Sequence, residues 1–170
     1  VSLDEEILEL ATRLGEKLQA IGWKITAAES CTGGAIAAAI TSVSGASGWF
    51  EGSVVSYANR VKRDLLGVDA EDLEKFGAVS EPVARQMAVG VLNRLDANLA
   101  VAVTGIAGPD GGSEDKPVGT VWLAWAHGEG QEPLDVVAHC RHFSGTRAEI
   151  QAQTVLEALR GLLQIVESHE

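Results

Sequence analysis

The sequence predicts an α/β protein, a three-layer α/β/α sandwich around a mixed, partly parallel sheet of about five strands. Three observations carry that prediction. Helical and strand-like patterns alternate through the first two thirds of the chain. The segment NLAVAVT, residues 98–104, is an almost unbroken apolar run, as a strand covered on both faces requires. Two strand-like stretches then follow one another directly near the end. Alternation predicts parallel strands joined by helices, and the late pair predicts antiparallel ones.

In chain order, residues 4–21 place Ile7, Leu8, Ala11, Leu14 and Leu18 at helical spacing, with acids in the first turn and Gly22 as the stop. Trp23 to Ala28 reads as a short strand. Glu29 to Gly34 (ESCTGG) is a turn, followed by AIAAAITSV, a buried helix packed through small residues. SGASGWF breaks the pattern, and GSVVSY is β-branched and strand-like. Asn59 to Gly67 predicts a short amphipathic helix with Gly67 as its stop. Ser80-Glu81-Pro82 starts a helix reaching about Leu95. After the 98–104 strand comes a Gly/Pro loop, GIAGPDGGSEDKP. VGTVWLAWAHG and PLDVVAHCRHF predict two strands joined by a Gly-rich turn, and from Thr146 the chain is one long helix.

The 170 residues suit one domain, with no repeat, linker or low-complexity tract. A composition of 46% hydrophobic and 22% charged residues is that of an ordinary globular protein. The balance of 13 basic against 24 acidic residues argues against a nucleic-acid partner, which needs clustered Lys and Arg. Cys31 and Cys140 fall in segments that read as apolar or helical; a disulfide between them stays open. The Cys and His spacings of a zinc site are missing, so no metal is expected. There is no apolar run of ~18 residues and no basic-then-apolar leader pattern at the start. The expectation is a cytoplasmic protein with no membrane partner.

Four segments could carry chemistry. Ser30, on a turn between strand and helix, would project at the carboxyl edge of the sheet, where α/β proteins place ligands. The helix start beyond it, at Thr32, Gly33 and Gly34, offers free amides and a positive dipole end for an oxyanion. The same pattern also fits a helix capped by Ser30 or Thr32. Next, Tyr57, the only tyrosine, and Lys62 sit where a strand runs into a helix, on or near the side of Val61 and Leu65. A partly desolvated lysine can deprotonate a serine, although a solvated surface lysine has this pattern too. Third, Thr104 to Gly112 (TGIAGPDGG) is a glycine-rich loop with amides for phosphate or sugar oxygens, or a plain crossover loop. Last, Arg147 opens the final helix, where a guanidinium binds phosphate or makes a surface ion pair.

Together the segments AAESCTGGAIAAAITSVSGAS, GSVVSYANRVKRDLLGV, GAVSEPVARQMA and AVTGIAGPDGG…KPVGTVWLAWA closely resemble the CinA C-terminal domain family, over roughly residues 5–165. The family's freestanding members include nicotinamide-nucleotide amidases. The resemblance implies a three-layer α/β/α fold and hydrolysis of nicotinamide mononucleotide to nicotinate mononucleotide and ammonia, in pyridine nucleotide recycling. It implies no metal or cofactor and a homodimer or higher oligomer. By the same resemblance Ser30 is the nucleophile, Tyr57 and Lys62 its proton-handling partners, and Thr104, Gly105, Gly108 and Arg147 lie near the substrate. The chain departs from the family's pattern at Thr146, which stands where an acid is usual, and at Gln151, where a second basic residue is common. The larger family proteins carry a further N-terminal domain. Both a single-domain member and a piece of a longer chain fit these residues. Two other readings stay open here: a CinA-family module that binds a nucleotide without turning it over, and an amidase for a different small amide.

Overall fold

A computed structural model describes residues 1–128 and 134–170. The elements are α1 (Leu3–Ile21), β1 (Ile25–Glu29), α2 (Ala35–Thr41), β2 (Phe50–Val55), α3 (Asn59–Leu66), α4 (Ala70–Phe76), α5 (Glu81–Arg94), β3 (Leu99–Gly105), β4 (Thr120–His127), β5 (Asp135–His142) and α6 (Arg147–Glu167). One sheet runs in the order β2-β1-β3-β4-β5. β1 pairs parallel with both β2 and β3, and the β3–β4 and β4–β5 pairs are antiparallel. The mixed α/β sandwich expected from the sequence is therefore the observed fold. The predicted Gly-rich turn between the last two strands lies outside the described residues. Among those described, no helix is long and apolar enough to cross a membrane.

The two faces of the sheet carry side chains of different size. Ile25, Leu99, Val101, Val103, Leu123 and Trp125 face α1, α2 and α6, where they form the larger core. On the other face Ala28, Ala100, Ala102, Ala124 and Ala126 meet Val83, Met87 and Val91 of α5. Alanines there let α5 lie close against the strands. α5 in turn draws in α3. A Cβ at Gly90 would overlap the carbonyl of Leu66, the last residue of α3, so only glycine permits this approach.

Most predicted elements form, with shifted bounds. β1 takes in Glu29, so the turn begins at Ser30. β2 begins two residues before the predicted GSVVSY and stops at Val55, leaving Ser56 and Tyr57 outside it. α4, with Asp69 as its N-cap, was not predicted: none of its residues is buried, so it has no apolar stripe to reveal it. Cys31 lies in the turn after β1 and Cys140 on β5, and both thiols are free. Thr146 caps α6 through a capping box: its side chain accepts from the Glu149 amide, and Glu149 accepts from its own. A threonine there satisfies the helix start as an acid would, so this departure from the family pattern leaves the local structure intact.

The connection after β1 runs to α2 on one face, and the connection after β2 runs to α3 on the other. Adjacent parallel strands whose continuations part in this way open a crevice at their carboxyl ends.

Candidate active site

Ser30 follows β1 and Lys62 sits in α3, and the crevice brings them together. Lys62 Nζ lies 3.0 Å from Ser30 Oγ, 2.8 Å from the Ser56 carbonyl and 3.0 Å from the Tyr57 carbonyl. The lysine is 1% exposed and the serine 7%. Within α3 Lys62 shares its buried face with Leu66, while Leu65 is exposed, so it is not on the side of Leu65 that its sequence position suggested. Burial pushes its pKa below the ordinary lysine value of 10.5, opposed by the neighbouring Cys31 thiol. Two carbonyls hold the N–H groups of a neutral amine and leave its lone pair free. The third partner, Ser30 Oγ, can then donate its own proton to that lone pair.

The turn itself is held by Glu29, whose role the sequence reading missed. Its carboxylate, fully buried, accepts from Thr32 Oγ1 at 2.7 Å, the Ile36 amide at 2.8 Å, the Ala37 amide at 3.0 Å and Ser53 Oγ at 2.8 Å. The N-cap residue Gly34 has no side chain, and Glu29 satisfies the first turn of α2 in its place. Those helix amides are therefore occupied. The Gly33 amide donates to the Ser30 carbonyl at 3.1 Å. Thr32, Gly33 and Gly34 do not line the cleft beside Ser30. The Thr32 and Gly34 amides have no hydrogen-bond acceptor among the described residues. Ser30's own amide donates to Val103. The next amide, of Cys31, has no backbone acceptor among the described residues, and Cys31 lines the cleft.

The cleft has a volume of about 290 Å³. Its walls are Ser30, Cys31 and Lys62, the loop from Thr104 to Gly112, and Arg147. Thr104 Oγ1 donates to the Ala78 carbonyl at 2.9 Å, tying that segment to the strand end. Gly105 and Gly108 run so close to Val121 and Val118 that a Cβ at either would collide. Arg147 donates through Nη1 to the Gly108 carbonyl at 2.6 Å and through Nη2 to the Tyr57 hydroxyl at 3.4 Å. Tyr57 thus reaches Lys62 through its carbonyl. Its phenol is at the mouth of the cleft, 64% exposed, beside the arginine. A larger groove of about 500 Å³ lies along α5, but its walls, among them Leu66, Val89 and Val136, bring no nucleophile.

Glu29 could have been suspected from the sequence as an acid ending an apolar strand. Ser53 and the Ser56 carbonyl gave no such signal. Gln151 adds a further contact to the turn, its Nε2 donating to the Cys31 carbonyl at 3.0 Å.

Comparison with known proteins gives a consistent result. The model of the CinA C-terminal domain matches residues 7–166. A protein of Pseudomonas putida named nicotinamide-nucleotide amidohydrolase PncC is 50% identical over 161 residues, covering 95% of this chain and 98% of that protein. The protein of the same name from Enterobacter agglomerans is 47% identical over 95% of this chain and 96% of its own length. Among solved structures, the competence/damage inducible protein CihA from Agrobacterium tumefaciens superposes with a TM-score of 0.89 at 47% identity, covering 94% of this chain and 95% of that one.

Proposed function

The chain belongs to the CinA C-terminal domain family, and on that premise we propose that it is an amidohydrolase that converts nicotinamide mononucleotide to nicotinate mononucleotide and ammonia. One observation carries the proposal beyond family membership: Lys62 Nζ stands 3.0 Å from Ser30 Oγ, out of water. A serine is a weak nucleophile until a base takes its proton, and a desolvated amine is such a base.

In the proposed reaction, neutral Lys62 accepts the Ser30 proton as Oγ bonds to the carboxamide carbon. The carbonyl oxygen becomes an oxyanion. The Cys31 amide is our candidate donor to it, since the residue after a nucleophile on a strand-to-helix turn commonly supplies one. Such a donor lowers the barrier by about 3–4 kcal/mol in a comparable enzyme. The tetrahedral intermediate collapses as Lys62 returns its proton to the departing nitrogen, and ammonia leaves. Water then attacks the acyl-serine with Lys62 again as base, giving the carboxylate and restoring Ser30. Arg147 and the amides of the 104–112 loop would hold phosphate and ribose, turning remote binding energy into orientation of the amide. Tyr57, with its carbonyl on Lys62 and its phenol beside Arg147, links the base to the arginine.

By resemblance to the family the enzyme works in the cytoplasm, assembled into a homodimer or higher oligomer. The experiment is an ammonia-release assay with nicotinamide mononucleotide. Wild-type protein turns over; Ser30→Ala and Lys62→Ala fold but release no ammonia. Turnover by Ser30→Ala at the wild-type rate would overturn the covalent scheme.

A further inference from the structure

We propose that Gln151 is a positioning residue, aligning the nucleophile turn from the helix that also carries Arg147. The inference rests on the reading of Ser30 as nucleophile given above.

Arg147 and Gln151 lie four residues apart in α6, on one face of the helix. Their side chains go to different places. Arg147 lines the cleft and Gln151 does not. Its Nε2 instead donates to the carbonyl of Cys31, 120 positions earlier in the chain. A carbonyl accepts only from a donor, so this contact fixes which way the glutamine amide is turned.

The contact matters because the turn has few other restraints on its peptide planes. The Ser30 carbonyl is held by the Gly33 amide. In a trans peptide the N–H lies opposite the C=O, so this bond aims the Cys31 amide away from Gly33. The following plane, from Cys31 to Thr32, has only Gln151 on its carbonyl among the described residues. Thr32 is also held through its hydroxyl by Glu29. Gln151 and Glu29 therefore grip the turn from α6 and from β1. Without Gln151 the Cys31–Thr32 plane can rotate, and the Cys31 amide and Ser30 Oγ shift with it. Gln151 is half-buried rather than core, so its replacement leaves the fold in place.

Gln151→Glu keeps the shape and puts an acceptor against the Cys31 carbonyl; Gln151→Ala removes the contact. With nicotinamide mononucleotide both variants lower kcat about tenfold or more, since displacements of 1 Å cost up to about 10²-fold, and they leave KM within about twofold. A fluorophosphonate probe gives a second readout independent of the substrate. Mass spectrometry follows its attachment to Ser30, which slows by a similar factor in both variants. Wild-type kcat and labelling rate in the variants would overturn the inference, as would a rise in KM alone, which would make Gln151 a substrate ligand. A wild-type protein that is labelled at Ser30 but releases no ammonia refutes the substrate assignment, while slower labelling of the variants still upholds the positioning role. If Ser30 is neither labelled nor active, both fall together.

Discussion

The amine of Lys62 and the hydroxyl of Ser30 are 3.0 Å apart although 32 positions separate them in the chain, and neither is open to solvent. The proximity depends on β1 and β2 being parallel neighbours, so that the segments leaving both strands emerge at one edge.

From that pair follows a pH dependence. Burial holds the Lys62 pKa below 10.5, and only the neutral amine can take the serine proton. The kcat/KM profile, which reports the free enzyme, should rise with pH and level off before an ordinary lysine would titrate. Lys62→Arg, charged at every accessible pH, should show no activity across the range. Stability has its own sign. Between the folded pKa and 10.5 the unfolded chain binds more protons, so stability rises with pH across that window; as pH falls toward the folded pKa this contribution is lost. Urea denaturation of wild type and Lys62→Met at several pH values isolates the slope, which the methionine variant should lack.

Arg147 makes its predicted effect on binding. Arg147→Ala should raise KM for nicotinamide mononucleotide about 10–100-fold, the equivalent of about 1.5–3 kcal/mol for charged hydrogen bonds. Its kcat should stay within a few-fold of wild type. A loss in kcat alone, with KM unchanged, would show that the arginine does not anchor the phosphate.

Gly90 links packing to activity. Alanine in a helix interior normally gains about 1 kcal/mol over glycine. Here its Cβ meets backbone, the Leu66 carbonyl, and α3 has to move. Overpacking costs about 1–3 kcal/mol, so the collision should outweigh the propensity gain. Gly90→Ala is expected to lower the denaturation midpoint, and to cut kcat as well because Lys62 lies one turn from Leu66. Unchanged stability would contradict the close approach of the two helices.

Cys31, beside the nucleophile, should be inert. Burial pushes its thiol up to about 12, and the thiolate is the reactive form. Iodoacetamide at pH 8 should modify the half-buried Cys140 first and reach Cys31 only after denaturation. Mass spectrometry of timed digests reads the order. Equal rates at the two cysteines would mean that the turn opens far more often than its hydrogen bonds imply.

Local pattern by itself determined the succession of helices and strands apart from α4, the division into parallel and antiparallel strands, and the turn that presents Ser30. Apolar spacing, glycine stops and a Ser-Glu-Pro start act over a few residues, and so can be read along the chain. The four motifs likewise identified the family. Only the tertiary structure decided that Lys62 faces inward with Leu66, that Glu29 holds the Ile36 and Ala37 amides at the start of α2, and that the Tyr57 ring turns to Arg147 while its carbonyl holds Lys62. Each of these depends on which groups from distant segments compete for the same donors once strands are paired. A helical position such as that of Lys62 reads the same in the sequence whether its side chain ends in water or against a serine. Desolvation and hydrogen-bond partnership arise from the packed whole, and they turn a common lysine into a base.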